Sequence, residues 1–218
     1  MNATHLEMPS RFEERTEALL DGTRDAESTD DTHLVRSLRR EIAELRQQVS
    51  LMSSYQNMAY RDFLTGVANR RAFEERLREE CARAVRTPSH NFALILADVD
   101  DQKLVNDTLG HTAGDEVLVS VARFLSDSVR EVDLVYRLGG DEFALLLPCT
   151  DEAGAAVVLA RLRTAFEAAR ERFVFPVGLS LGAATVPSCP PDTEALVMRA
   201  DTEMYLDKRK NKQGRPGR

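Results

Sequence analysis

Two acidic residues that directly follow two glycines are the first candidates for chemistry in this chain. The stretches Val135–Leu138 and Phe143–Pro148 have the apolar pattern of strands, so Gly139–Gly140 is predicted to be the two-residue turn of a hairpin. Glycine has no side chain, so a ligand phosphate can approach the backbone of such a turn closely. Asp141 and Glu142 follow the turn, and their carboxylates are expected to point to opposite faces of the strand. Taken alone, the Gly-Gly-Asp-Glu run has two interpretations: a solvent-exposed hairpin, or a site for a metal-bound nucleotide.

A second acidic segment lies upstream, at the end of an apolar run. Residues 91–97 have the continuous apolar pattern of a buried strand, and Asp98 and Asp100 follow it. Aspartates two apart on a strand share one face and can hold a divalent cation. Mg²⁺ prefers few protein carboxylates together with substrate phosphates. Asp98 and Asp141 are therefore predicted to hold two ions, an arrangement that stabilises the attacking and the leaving oxygen in phosphoryl transfer.

The elements that must position these acidic residues alternate between helices and strands. Helices are predicted over about 70–85, 103–108, 114–128, 152–170 and 193–208, and one further strand over 177–185. Helices interspersed with strands around a central hairpin predict an α/β fold in which a sheet carries helices on both faces.

Six motifs follow one another along the predicted domain. They are Asp62–Arg71, Asp98–Asp107, Gly110–Asp115, Gly139–Phe143, Val177–Gly182 and Ala200–Lys208. In this order they resemble the motifs of the GGDEF-domain diguanylate cyclases, over about residues 62–214. The resemblance implies a five-stranded α/β (α+β) fold like that of the polymerase palm and the nucleotide cyclases. It also implies an enzyme that condenses two GTP molecules into cyclic di-GMP and releases pyrophosphate.

The resemblance further implies the metal and catalytic residues. Asp98 and Asp141 match the carboxylate ligands of two Mg²⁺ or Mn²⁺ ions per active site, with the backbone carbonyl of Val99 as a third protein ligand. Asp141 is also expected to take the proton from the attacking ribose 3′-OH. Glu142 is expected to assist at the metal or to position the α-phosphate, and Lys103 to supply positive charge to the phosphates.

Other residues that match the family are expected to hold the triphosphate. Asp101, Gln102 and Lys103 stand at a predicted helix start, where backbone N–H groups suit a phosphate. The family often has an aromatic residue at the position of Gln102, so this chain departs from the pattern there. Lys208 and Lys212 match positions that contact the triphosphate, although family members frequently have Arg at the position of Lys212.

Base recognition is expected from Asn106 and Asp115. A carboxylate can accept from guanine N1–H and the 2-amino group together, whereas adenine has no such pair of donors. Asp115 therefore implies a preference for GTP over ATP. His111 is expected in the same pocket wall, with a structural histidine in a loop as the alternative.

The pair Arg130 and Asp133 matches the inhibitory product site of the family, because its Arg-x-x-Asp spacing lies at a fixed offset before Gly139. An arginine can stack on one guanine and donate to it, while the aspartate accepts from another base. The same spacing also occurs by chance at helix ends.

A heptad pattern precedes the predicted domain. Its a positions are Val35, Ile42 and Val49, and its d positions are Leu38, Leu45 and Met52. β-Branched residues at a with Leu at d favour a parallel two-stranded coiled coil, so we expect a homodimer. The alternative is a single amphipathic helix that folds onto its own domain. The predicted organisation is a disordered acidic tail (1–33), a coiled-coil helix (34–60), a catalytic domain (61–214) and a basic tail (215–218).

Composition excludes several classes of protein. The chain has 218 residues and a net charge of −7, and residues 1–33 hold nine acidic residues against three arginines. The residues that follow this segment are almost neutral in sum and form no strongly basic surface, so no nucleic-acid partner is expected. No apolar run has the length of a membrane span and no signal peptide is visible, so a cytoplasmic protein without a membrane partner is expected. Three cysteines without paired spacing argue against a zinc site and disulfides.

Three functions remain on these grounds. The first is an active, dimeric diguanylate cyclase that its product inhibits. The second is a receptor that has lost turnover and binds cyclic di-GMP through Arg130 and Asp133. The third is a coiled-coil scaffold whose domain binds GTP only for control. The acidic residues and Lys103 favour the first.

Overall fold

A five-stranded sheet lies in the part of the chain that follows residue 57. The computed structural model describes residues 29–170 and 175–213, and among these it leaves out the side chains of 29–32 and 53–58. Contacts within the chain divide it into two parts, between Asn57 and Met58. The predicted acidic tail up to residue 28 and the predicted basic tail at 215–218 lie outside the described residues.

Helices and strands alternate along the chain, as the apolar patterns predict. The strands are β1 (Ala68–Asn69), β2 (Phe92–Asp100), β3 (Leu134–Gly139), β4 (Glu142–Pro148) and β5 (Gly178–Val186). The helices are α1 (Thr29–Tyr60), α2 (Arg70–Arg86), α3 (Gln102–Leu109), α4 (His111–Asp127), α5 (Glu152–Ala169) and α6 (Thr193–Gln213). The sheet order is β1-β3-β4-β2-β5, with β1 parallel to β3 and the other neighbours antiparallel.

Strand β2 shows why helices cover both faces of the sheet. All nine of its residues are buried, because strands flank it on both edges and its side chains alternate between two apolar clusters. Ala93, Ile95, Ala97 and Val99 join the cluster formed with α4 and α5, whereas Phe92, Leu94 and Leu96 join the cluster formed with α2 and α6. The predicted fold, a five-stranded sheet with helices on both faces, is confirmed.

Helix α6 approaches strand β5 backbone to backbone at Gly182. A Cβ atom at this position would overlap the carbonyl oxygen of Ala200 and the amide nitrogen of Met204. Because α6 also carries Lys208, the absence of a side chain at Gly182 sets the position of a predicted site residue.

Replacing Gly182 with Ala is expected to lower the free energy of unfolding by about 1–3 kcal/mol, because the helix must move away from the strand. Urea denaturation measures this change. Gly154→Ala is the matched control: its Cβ would meet only the Thr150 and Asp151 side chains, at 3.1 and 3.3 Å, so little loss is expected. Equal stability of the two variants would show that α6 does not depend on Gly182.

The hairpin turn differs from its predicted position. Gly139 pairs with Glu142, so the two residues of the turn are Gly140 and Asp141 rather than the two glycines. The prediction that Gly139–Gly140 forms the turn was therefore wrong by one residue. A register shift between Arg137 and Gly139 absorbs the difference, and Gly140 has a φ of 53° in the left-handed region.

Two element boundaries also differ from prediction. Strand β2 continues to Asp100, so Asp98 lies within the strand and not beyond its end. Helix α4 begins at His111, three residues before the predicted start, because Gly110 (φ 88°) directly joins α3 to α4. His111 is therefore the first residue of a helix and does not lie in a loop, whereas its role in the pocket wall stays a prediction.

Helix α1 is continuous over the predicted heptads. Its start at Thr29 is five residues before the predicted one. Leu38, Leu45, Val49 and Met52 of the predicted seam are all exposed. An exposed apolar seam suits a second helix, but the coiled-coil dimer stays a prediction. Among the described residues, no helix has both the length and the apolar character to cross a membrane.

Candidate active site

A cavity of about 480 Å³ lies where α3, α4 and the β3–β4 turn meet. Its lining residues are Gln102, Lys103, Asn106, Asp107, His111, Asp115, Leu118, Arg137, Gly140 and Asp141. Seven of these are predicted site residues: Gln102, Lys103, Asn106, His111, Asp115, Gly140 and Asp141. The volume is within the range of small-molecule sites. The structure therefore brings the predicted base-reading residues and the acidic turn to one cavity.

A larger cavity, of about 670 Å³, lies between α5, β5 and α6. It contains no predicted site residue. Four of its charged groups bind one another: Arg163 pairs with Asp207 and Arg199 with Glu203, each at 3.0 Å. The smaller cavity is the better candidate because seven predicted site residues line it and none lines the larger one.

Helices α3 and α4 form one wall of the smaller cavity and meet at Gly114. A Cβ atom at Gly114 would overlap Asn106 Oδ1, so this glycine makes room for the amide of Asn106. Gln102 Nε2 donates a buried hydrogen bond of 2.9 Å to the carbonyl oxygen of Gly114. Asp115 follows Gly114 directly and is exposed, so its carboxylate remains available to a ligand.

The acidic side of the site comes from the pairing of β2 with β4. Asp98 lies opposite Glu142 in the register, and the amide nitrogen of Val99 donates to the carbonyl oxygen of Asp141 at 3.0 Å. The predicted metal ligands Asp98, Val99 and Asp141 are thus neighbours. Because Glu142 pairs directly with Asp98, the two side chains lie on the same face of the sheet. Glu142 is exposed and does not line the cavity.

Lys208 reaches the same acidic group from helix α6. Its Nζ lies 2.6 Å from Asp98 Oδ1. Burial lowers the pKa of Lys208, but the hydrogen bond to Asp98 and the charges of Asp98, Asp100 and Asp141 outweigh burial and raise the pKa above its usual value. The ammonium group of Lys208 therefore contacts Asp98 directly, and the charges of Asp100 and Asp141 favour its protonated form.

The neighbouring Asp100 is engaged in structural contacts. It is 3% exposed, its Oδ1 accepts from Ser180 Oγ at 2.8 Å, and its Oδ2 accepts from Asn211 Nδ2 at 3.4 Å. The carboxylate joins β2 to β5 and α6, so Asp98 is the better of the two as a metal ligand.

The donor set fits a magnesium site that is completed by substrate. Within the described ranges, no group of three or more His, Cys, Asp or Glu side chains is placed to hold a metal by itself. Mg²⁺ does not require such a group, since it is commonly bound by one or two carboxylates together with substrate phosphates and water. Asp98, Asp141 and the carbonyl of Val99 supply oxygen ligands of this kind.

Some predicted phosphate residues do not line the cavity. Asp101 has a left-handed φ of 66° and directly precedes α3, with Lys103 in the first turn of that helix. Gly139 is exposed within β3, and Lys212 is exposed in the last turn of α6. Lys208 is paired with Asp98, and its predicted contact with the triphosphate stays a prediction.

Arg137 is a site residue that the sequence analysis missed. Its Nε and Nη2 donate to the carbonyl oxygen of Gly140, at 3.1 and 2.8 Å, and its Nη1 lies 3.0 Å from Asp62 Oδ1. Burial raises the pKa of Asp62, but hydrogen bonds from Thr65 and Arg137 lower it below its ordinary value. This charged pair holds the turn that carries Asp141. In the sequence, the one indication of this role is that Arg137 stands two residues before Gly139. Asp107 and Leu118 were also missed.

Arg130 and Asp133 form a separate turn before β3. Asp133 is 3% exposed and accepts from the backbone amide of Arg130 at 2.9 Å, while the side chain of Arg130 is exposed. Burial raises the pKa of Asp133 despite the bond and charge of Arg130. In the described part of the chain, Asp133 Oδ1 has no hydrogen-bond partner. The aspartate thus shapes the turn that presents the arginine.

Comparison with known proteins gives a consistent result. The profile of the family described as "Diguanylate cyclase, GGDEF domain" matches residues 59–214. The uncharacterized protein YhcK of Bacillus subtilis is 38% identical over 162 residues, which are 72% of this chain and 45% of YhcK. The diguanylate cyclase TpbB of Pseudomonas aeruginosa is 38% identical over 164 residues, which are 72% of this chain and 37% of TpbB. The chain thus spans less than half the length of these curated relatives.

A solved structure extends the similarity to the helix before the domain. The coiled coil and GGDEF domain of DgcB from Caulobacter crescentus, in complex with c-di-GMP, is 28% identical. It covers 81% of this chain and 94% of the DgcB chain, with a TM-score of 0.70. With the matched profile, the fold and the cavity in agreement, the chain belongs to the GGDEF-domain family of diguanylate cyclases.

Proposed function

We propose that this protein is a diguanylate cyclase, which joins two GTP molecules into cyclic di-GMP and releases pyrophosphate. The observation that carries the proposal is that Asn106, Asp115 and Asp141 line one cavity together with Lys103. Base recognition and phosphoryl transfer need groups at the two ends of one nucleotide, and this cavity offers both.

The base binds at the wall formed by α3 and α4. The exposed carboxylate of Asp115 accepts from guanine N1–H and from the 2-amino group, and Asn106 contacts the same base from α3. Gly114 supports this arrangement, since a larger residue would displace Asn106. Adenine presents an acceptor at N1 and has no 2-amino group, so GTP is preferred.

The triphosphate lies toward the β3–β4 turn. Lys103 supplies a positive charge from the first turn of α3, where backbone N–H groups also face an anion. Gly140, the first residue of the turn, has no side chain that would obstruct a phosphate. Lys208 can turn from Asp98 toward the phosphates when nucleotide binds, because its side chain is 31% exposed.

Phosphoryl transfer takes place at the carboxylates of β2 and the turn. Asp98, Asp141 and the carbonyl of Val99 would hold Mg²⁺, which would supply Lewis acidity at the α-phosphate and lower the pKa of the attacking hydroxyl. Asp141 accepts the proton of the ribose 3′-OH, and Glu142 supports the metal end of the site. Arg137 holds the backbone of this turn through Gly140.

Two chains are needed for a complete reaction. The cavity is of a size for one nucleotide, and each GTP must attack the α-phosphate of the other, so two domains face one another during catalysis. The exposed apolar seam of α1 supports a parallel coiled coil as the element that pairs them.

Arg130→Ala is expected to keep turnover and to lose inhibition by added cyclic di-GMP. The exposed guanidinium stacks on and donates to a guanine of the product, whereas Asp133 holds the turn. The measurement is the initial rate of product formation at increasing cyclic di-GMP concentration, with an expected rise of at least about tenfold in the half-inhibitory concentration. Arg123→Ala, an exposed arginine on α4, is the control. Inhibition equal to that of the wild type would place the inhibitory site elsewhere.

One assay separates the cyclase from a receptor. Bound product is first removed with a phosphodiesterase, GTP and Mg²⁺ are then added, and the products are followed by chromatography with mass detection. Cyclic di-GMP that accumulates and then stalls is the expected result. Tight binding of added cyclic di-GMP without any product from GTP would favour the receptor instead.

A further inference from the structure

Gln102 lies between the two helices that carry the base-reading residues. It is the first residue of α3, it is 6% exposed, and it lines the candidate cavity. Asn106 follows one turn later on the same face of α3. The hydrogen bond of Gln102 Nε2 ends on the carbonyl of Gly114, the residue directly before Asp115. One side chain therefore connects the helix of Asn106 to the helix of Asp115.

The amide of Gln102 is not explained by packing. Its Oε1 is buried and has no hydrogen-bond partner among the described residues. A buried acceptor without a partner destabilises the folded state, whereas an apolar side chain of the same length would avoid this penalty. The donor half of the amide is thus the part with a function, and that half contacts Gly114.

Two amide side chains converge on Gly114. A Cβ atom built there would overlap Asn106 Oδ1 and would lie 2.9 Å from Gln102 Nε2. The position of α4 relative to Asn106 is therefore set at this point by close contact and by the bond from Gln102. A displacement of about 1 Å in a binding group can cost about 100-fold in activity, so this spacing matters.

We propose that Gln102 is a positioning residue for base recognition, which holds Asn106 and Asp115 at the spacing that one guanine requires. The inference rests on the proposed function, because it takes the cavity as the guanine site. It differs from a role in phosphate binding, since the side chain bonds to α4 and not toward the phosphate end.

The test compares two nucleotides that differ only in the base. Inosine lacks the 2-amino group of guanine, so the wild-type protein is expected to bind the α,β-methylene analogue of GTP at least about tenfold more tightly than that of ITP. Calorimetry with the full chain and Mg²⁺ gives both affinities. In Gln102→Met this ratio is expected to fall at least about threefold, because Asp115 is no longer held.

Control variants make the result specific. Lys103→Met changes a residue of the same helix and cavity, and it is expected to weaken both analogues equally and so leave their ratio unchanged. Gln102→Asn keeps the amide, but the shorter side chain does not reach Gly114, so the same fall in the ratio is expected as for Gln102→Met. If Gln102→Met does not fold, Gln102→Asn takes its place in the test. An unchanged ratio in the folded variant overturns the role of Gln102. Equal affinity of the wild type for both analogues overturns the proposed function, and this inference with it.

Discussion

Asp141→Asn is expected to lower the rate of cyclic di-GMP formation by at least about 10³-fold, with no loss of folding. Asn keeps the shape of the side chain, and the bond from the amide of Val99 to the backbone carbonyl of residue 141 does not depend on the side chain. The variant loses the negative charge that holds metal and accepts the proton of the 3′-OH. Product formation under saturating GTP and Mg²⁺ measures the effect, and thermal unfolding checks the fold.

Asp201→Asn is the matched control for this experiment. Asp201 is exposed on α6 and outside the cavity, and its replacement changes the net charge by the same amount. It is expected to retain wild-type turnover. If Asp141→Asn retained even a tenth of wild-type activity, the catalytic role of the turn carboxylate would be refuted.

Asp115→Asn is expected to reduce the preference for GTP over ATP by at least about 100-fold in kcat/KM. An amide offers one acceptor to guanine where the carboxylate offers two, so binding of GTP weakens. An amide can also donate to adenine N1 while it accepts from the 6-amino group, so binding of ATP improves. Steady-state kinetics with each nucleotide gives the ratio.

Asp107→Asn separates this hydrogen-bond effect from a general charge effect. Asp107 lines the same cavity from α3 and is exposed, as Asp115 is. Its replacement removes the same charge without changing the groups that contact the base. A loss of selectivity as large as that of Asp115→Asn would mean that charge in the cavity, and not the pattern of acceptors, discriminates the bases.

The strands and helices with long apolar patterns were predicted well. Every residue of β2 is apolar up to Asp98, and eight of the nine residues of β5 are buried, so both strands have the largely apolar sequence of a buried strand. Strand β1 has no such signal, because it is two residues long and exists through pairing with Tyr136 and Arg137 of β3. The shift of the turn to Gly140 likewise depends on a register irregularity in β3 that no local pattern reveals.

The candidate site was predictable where its residues are close in sequence. Residues 102–115 come from two consecutive helices, and their motif spacing located most of the cavity wall. The pairs Asp98–Lys208 and Asp62–Arg137 join residues 110 and 75 positions apart. Such pairs arise from the packing of α6 and β3 in the fold, so the contact of Lys208 and the role of Arg137 became visible only in the structure.

The most direct test of the central claim is a single incubation with equimolar GTP and ATP. The wild-type protein, freed of bound product by a phosphodiesterase, is mixed with both nucleotides and Mg²⁺, and every cyclic dinucleotide is identified by mass. Cyclic di-GMP as the sole cyclic product, released with pyrophosphate, is the predicted result, because one cavity both reads guanine and positions the reacting phosphate. A cyclic product that contains adenine, or the absence of any product, would contradict it.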